Sequence, residues 1–201
     1  MHSMLDNIKE APYDPSMALI RQLVTEYIIF PLGSELVRDR FPDTIKSFLF
    51  YGPAGTGKTM VVNAIAHETN SIVLDLSPNF IDGKYPGGKK RDDEMVATVM
   101  LVAKEYQPAI IYIDEAERVW PAKKKGKKKK AGGPKNTNVP TRIKKTLAKW
   151  KAKFLNEKVR VTIIGCTSEP DNGSKKDFKK FFDKAIYFPF PDYSTRRLMW
   201  K

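Results

Sequence analysis

Met17, Ile20, Val24 and Tyr27 recur at spacings of three and four, which predicts an amphipathic helix ended by Pro31, Leu32 and Gly33. A shorter helix is expected over residues 34–40, closed by Pro42. From there the chain alternates short apolar runs with amphipathic stretches. The runs at 47–51, 71–76, 109–113, 159–165 and 185–188 read as strands, and the stretches at about 58–68, 92–106 and 141–156 read as helices. In the last of these, Ile143, Leu147, Trp150 and Phe154 form one face and lysines the other. In the middle one, Asp92, Asp93 and Glu94 open the helix and Lys104 lies near its end, matching the helix dipole. Strands alternating with helices predict an α/β fold, a mostly parallel sheet covered on both faces.

One stretch breaks this pattern. From Trp120 to Asn138 the chain has no apolar period, and seven of the eight residues at 123–130 are lysine. A segment of that composition buries no core, and it is expected to be a mobile loop.

Composition then sharpens the picture. Of the 201 residues, 41% are hydrophobic and 11% aromatic, enough for a real core. The net charge of +13 is unevenly placed: residues 1–120 carry 12 basic and 17 acidic side chains, residues 121–201 carry 24 basic and 6 acidic. The second part therefore looks like a surface for an acidic partner. Cys166 is the single cysteine, so no intrachain disulfide forms, and with His2 and His67 far apart no zinc site is expected. No run approaches the roughly 18 apolar residues of a membrane helix, and the N-terminus lacks a signal-peptide pattern. A reducing, soluble, intracellular setting without membrane contact is the expectation. Cys166 reads as a small core residue and His67 as a partner of its helix's C-terminal dipole.

The chemistry concentrates at two places. Gly52-Pro53-Ala54-Gly55-Thr56-Gly57-Lys58-Thr59 fits G-x-x-x-x-G-K-[ST], between a predicted strand and a predicted helix. The glycines let successive backbone N–H groups turn inward at phosphate oxygens, and the helix N-terminus adds roughly half a positive charge there. Lys58 is expected to reach the β- and γ-phosphates of ATP or ADP, and Thr59 to offer its hydroxyl to Mg²⁺. The second place is Ile110-Ile111-Tyr112-Ile113-Asp114-Glu115, an apolar strand ending in two acids. Asp114 is placed to hold Mg²⁺ and Glu115 to polarise an attacking water as the candidate catalytic carboxylate.

With these two motifs in this order, the chain resembles the AAA+ ATPase module, over roughly residues 28–201. The resemblance implies a three-layer P-loop fold with a five-stranded parallel sheet in the order 5-1-4-3-2. It implies a division into a lead-in with helices at 1–46, a large subdomain at 47–192 carrying the lysine-rich loop 121–138, and the start of a helical lid at 193–201. Ile163 to Pro170 resembles the strand and turn of the family's first sensor, usually an asparagine, and Ser168 occupies that place. Lys84-Tyr85-Pro86-Gly87 resembles the aromatic loop with which ring-forming members grip a polypeptide. The family's arginine fingers lie just before the last strand; here that stretch reads Phe178-Lys179-Lys180-Phe181-Phe182-Asp183-Lys184, with Phe181 where an arginine is expected. Lysine keeps the charge of an arginine finger but not its planar fork, so hydrolysis is expected to suffer more than binding. With the finger position altered, Tyr85 reads as a surface or interface aromatic rather than a working grip.

The stretches Phe30–Glu35, Leu76–Asn79 with Gly83–Gly87, and Pro191–Lys201 resemble one ciliary branch of the family, whose members combine an IQ motif with an AAA domain in the nexin–dynein regulatory complex. That branch implies a structural role on the axonemal doublet microtubule beside other regulatory-complex subunits, with nucleotide bound and weak or no hydrolysis. No IQ motif lies in these residues, so calmodulin would bind only outside this segment. The alternative is an active AAA+ machine that remodels or severs a protein polymer. For the lysine run Lys123–Lys130 two readings stay open, a solvated insertion or a clamp for tubulin's acidic tails; nearly pure lysine and glycine argues against a nucleic-acid reader.

Overall fold

The computed structural model describes residues 14–41, 45–82, 89–122, 140–154 and 159–200. The lead-in before residue 14, the aromatic loop with Tyr85, the lysine run Lys123–Lys130 and the side chain of Phe154 lie outside the described residues.

The fold opens with α1 (Met17–Val24), which continues through a wide helical turn (Thr25–Ile29) into α2 (Phe30–Gly33). Pro31 therefore sits inside the helical path rather than ending it. It lies just after the wide turn, having no N–H to offer the helical ladder. Ser16 caps α1, accepting from the Leu19 N–H. Then come α3 (Glu35–Arg40), β1 (Ser47–Tyr51), α4 (Lys58–Thr69), β2 (Ile72–Asp75), α5 (Pro78–Ile81), α6 (Lys89–Glu105), β3 (Ala109–Ile113) and α7 (Ala116–Val119). A 3₁₀ turn (Pro140–Ile143) leads into α8 (Lys144–Phe154), followed by β4 (Val161–Thr167), α9 (Lys175–Phe181), β5 (Lys184–Tyr187) and α10 (Tyr193–Met199).

The five strands are parallel, in the order β5-β1-β4-β3-β2, as the resemblance implied. β4 starts later and runs further than its apolar pattern indicated. Cys166 and Thr167 stay in register with Phe50 and Tyr51 of β1, which extends the ladder to Thr167.

Side chains alternate between two cores, as the period of a strand requires. Leu49, Ile111, Ile113 and Ile163 point to one face, where α6, α8, α9 and Trp120 cover them. Phe48, Phe50, Ile110 and Ile164 point to the other, under α1 and α4 through Ile20, Val24, Ile28, Val62 and Ile65. Two-sided burial explains why the strands read as continuous apolar runs. Crossovers that return to the same edge of each strand put every βα loop at one end of the sheet, and both motifs lie there.

Candidate functional site

The chain leaves β1 through a loop whose shape depends on glycine. Gly55 and Gly57 have φ of +79° and +87°, and Gly52 has +151°. At Gly52 a Cβ would come within 2.1 Å of the Phe188 carbonyl oxygen, so no side chain fits. Gly52 N–H donates to the Thr167 carbonyl at 3.3 Å, which pins the loop to the end of β4. α4 then begins at Lys58, with Gly57 at its cap.

Lys58 is 6% exposed. Its ammonium folds under the loop, donating to the carbonyls of Gly52 at 2.8 Å and Pro53 at 2.6 Å. Burial pushes its pKa down, partly offset by the carboxylates of Asp114 and Glu117. Pro53, Ala54 and Thr56 complete the loop. The Thr56 hydroxyl donates back to the Pro53 carbonyl at 3.0 Å.

Thr59 meets β3 directly. Its hydroxyl lies 3.1 Å from the Tyr112 phenol oxygen, and the Asp114 carboxylate acts on the same phenol. Burial drives the Tyr112 pKa far up, so it stays neutral. Cys166 lies beside it, fully buried, with burial pushing its thiol up to about 12. The thiol is thus an inert core group, as expected. The two oxygen donors of Thr59 and Asp114, converging on Tyr112, have the chemistry that a hard divalent cation takes.

Asp114 is held from both sides. Its N–H donates to the Ser77 hydroxyl at 2.8 Å, and Ser77 donates in turn to Asp75 at the end of β2. One Asp114 carboxylate oxygen accepts from the Glu115 N–H at 2.9 Å. Glu115 adopts a left-handed conformation, φ +47°, uncommon for a residue with a side chain. Its carboxylate does not stand free: Arg118 donates to it at 2.5 Å. The same guanidinium reaches Asn79 at 2.7 Å and Asp82 at 3.0 Å. Arg118 thereby ties the candidate catalytic carboxylate to α5 and to the residue that precedes segment 83–88.

Ser168 lies at the end of β4, exposed, while its neighbour Thr167 is buried. The Thr167 hydroxyl faces the Glu117 carboxylate without reaching hydrogen-bond geometry. Glu117 is pushed above the ordinary carboxyl range chiefly by burial, with Glu115 and Glu169 adding to it. The structure thus brings together the Gly52–Thr59 loop, Asp114 and Glu115, with Ser168 at the rim. Tyr112, Glu117, Arg118 and Thr167 join them without a motif that names them. The one local signal was spacing: Arg118 follows Glu115 by a helical step.

The stretch before β5 is also explicit. Phe181 is 4% exposed, its ring 4.7 Å from Trp120 and 4.9 Å from Phe182. Lys179 and Lys180 are exposed on α9.

Three comparisons bear on this arrangement. Residues 48–190 match the model of the ATPase family associated with various cellular activities (AAA). The chain is 38% identical over 192 residues to dynein regulatory complex protein 11 of Mus musculus, covering 93% of this chain and 21% of that one. It is 30% identical over 181 residues to spastin of Ixodes scapularis, covering 89% of this chain and 26% of that one. The chain thus spans about a fifth to a quarter of the length of these curated relatives. In fold it is similar to the crystal structure of the FIGL-1 AAA domain in complex with ADP, at a TM-score of 0.69 and 20% identity, covering 90% of this chain and 56% of that one.

Proposed function

Because the chain belongs to the AAA family of ATPases, we propose that it binds ATP or ADP between the Gly52–Thr59 loop and Asp114, and that it serves as a structural subunit of the axonemal nexin–dynein regulatory complex with weak or no hydrolysis. The similarity to dynein regulatory complex protein 11 supports the assembly and the ciliary location. The observation that carries the weak-hydrolysis reading is Phe181. The position where the resemblance expects an arginine holds an aromatic ring packed into the core, which presents no charge to a neighbouring subunit.

In this reading Lys58 exchanges its carbonyl contacts for phosphate oxygens, and the backbone N–H groups of residues 52–59 cradle the phosphates. Thr59 and Asp114 would hold Mg²⁺, which when bound neutralises phosphate charge. Ser168 borders the γ-phosphate, and Glu115 is the carboxylate that would polarise water on release from Arg118. Bound nucleotide acts as a structural ligand, because only the folded state binds it. Other complex subunits are the partners, and the lysine-rich run Lys123–Lys130 supplies attraction to tubulin's acidic tails.

A second reading, an active remodelling or severing ATPase, is favoured by the intact Asp114-Glu115 pair and by the similarity to spastin. ATP turnover measured against protein concentration separates the two. The structural reading expects clear ATP affinity and a low rate per chain that does not rise with concentration. A rate that climbs as subunits assemble, and that Glu115→Gln abolishes, establishes the active machine. Absence of ATP affinity overturns both.

A further inference from the structure

A cleft of about 560 Å³ opens between α8 and α9, with Lys46 and Asp183 at its end. Lys46 and Asp183 precede β1 and β5, so this end of the cleft lies at the starting end of the parallel strands. The Gly52–Thr59 loop follows the other end of β1, five residues or about 17 Å away.

Its walls are of two kinds. Ala148 and Ala152, one helical turn apart on α8, recess one wall, and the ring of Phe181 with Trp120 closes the base. Around this recess stand Lys46, Lys144, Lys145, Lys151 and Lys180, against Asp177 and Asp183. The aspartates are already engaged: Lys144 bridges Asp177 at 2.6 Å and Lys151 bridges Asp183 at 2.7 Å. Those bridges fix the long side chains of both walls, and the lining keeps a surplus of three positive charges. Lys145 and Lys180 are exposed on facing helices.

We propose that the α8–α9 cleft is a docking groove for an acidic polypeptide segment, its carboxylates meeting Lys145 and Lys180 while its backbone lies over Ala148 and Ala152. This deepens the docking role proposed above and moves its specific part from the lysine run to the folded surface. The occupant is a polypeptide rather than a nucleic acid for two reasons. The volume is that of a small-ligand or short-peptide site, too narrow for a duplex. The aromatics at the base, Trp120 and Phe181, are 1% and 4% exposed and offer no face for a base to stack on.

The test is fluorescence anisotropy with a labelled ten-glutamate peptide, run beside a labelled DNA duplex, at two salt concentrations. Three variants of the 201-residue chain are compared with the parent. One is the groove pair, Lys145→Glu with Lys180→Glu. The second is an equal charge change elsewhere, Arg21→Glu with Arg40→Glu, on exposed positions of α1 and α3. The third deletes residues 123–130. Circular dichroism and thermal melting report that each variant is folded. The groove pair is expected to weaken peptide binding by about tenfold or more, and the distant pair by less than about twofold. Equal loss in both pairs means diffuse attraction and overturns the groove. Loss on deletion of 123–130 alone overturns the groove while leaving the lysine-run reading standing. DNA bound more tightly than the peptide, and lost with the groove pair, overturns the polypeptide assignment.

Discussion

Arg118 decides what Glu115 can do. The Glu115 carboxylate accepts from the Arg118 guanidinium at 2.5 Å, so turning toward a water requires giving up that contact. Arg118 is itself shared with Asn79 and Asp82, so Glu115 is restrained by a network rather than by a single contact. Arg118→Ala is therefore expected to raise ATP turnover, up to about tenfold, with the ATP dissociation constant within about twofold of the parent. A fall in turnover would instead make Arg118 a residue that orients Glu115 productively. Glu117 gives a prediction of a different kind. Its folded pKa is raised above its ordinary 4.5, so the folded state holds the proton more tightly than the unfolded chain. That contribution to stability is present below about pH 4.5 and is lost as pH rises through the raised value. Urea midpoints measured from about pH 4 to pH 7 should show this decline in the parent chain, and Glu117→Gln should flatten it.

Trp120 is the largest fully buried side chain, and it binds two elements into one unit. Its ring meets Phe178, Phe181 and Phe182 at 6.2, 4.7 and 5.3 Å, joining the end of α7 to α9 and the entry to β5. Phe182 in turn lies against Gly165 of β4, where an added Cβ would come within 2.5 Å of its ring. Restoring an arginine at the altered position is therefore not a matter of charge alone. Phe181→Arg would bury a guanidinium beside the Lys151 ammonium, which already sits 5.4 Å from the Phe181 ring. It is expected to cost about 3 kcal/mol or more and to leave ATP turnover unimproved, as thermal denaturation and a rate assay would show. An increase in turnover with an unchanged melting temperature would refute this account. At this scale the five strands, the long helices and the Gly52–Thr59 turn were all legible in the chain, because each follows a local period or a local steric demand. The helix α9 was not. Its seven residues, Lys-Lys-Asp-Phe-Lys-Lys-Phe, carry too few apolar positions to show a period, and it is fixed by Ser174 at its cap and by the aromatic cluster. The path of the chain through Pro31 was also hidden, since the wide turn before it is no feature of composition.

For the whole molecule, the charge asymmetry acquires a geometry. The loops that carry the Gly52–Thr59 and Asp114-Glu115 motifs gather at one end of the sheet, and the lysine-lined cleft reaches the other at Lys46 and Asp183. A parallel sheet gathers these loops because all strand ends of one kind lie together. The sequence by itself determined the alternation of strands and helices, the two-sided burial of the sheet and the loop from Gly52 to Thr59. Those are dictated by backbone geometry and by hydrophobic spacing within a few residues. Only the tertiary structure decided that Arg118 ties Glu115 to Asp82, that Tyr112 stands between Thr59 and Asp114, that Phe181 is a core residue, and that α8 and α9 leave a basic groove. Apart from the helical spacing of Glu115 and Arg118, these rest on neighbours from separate elements, which are set by how elements pack rather than by a local pattern in the chain.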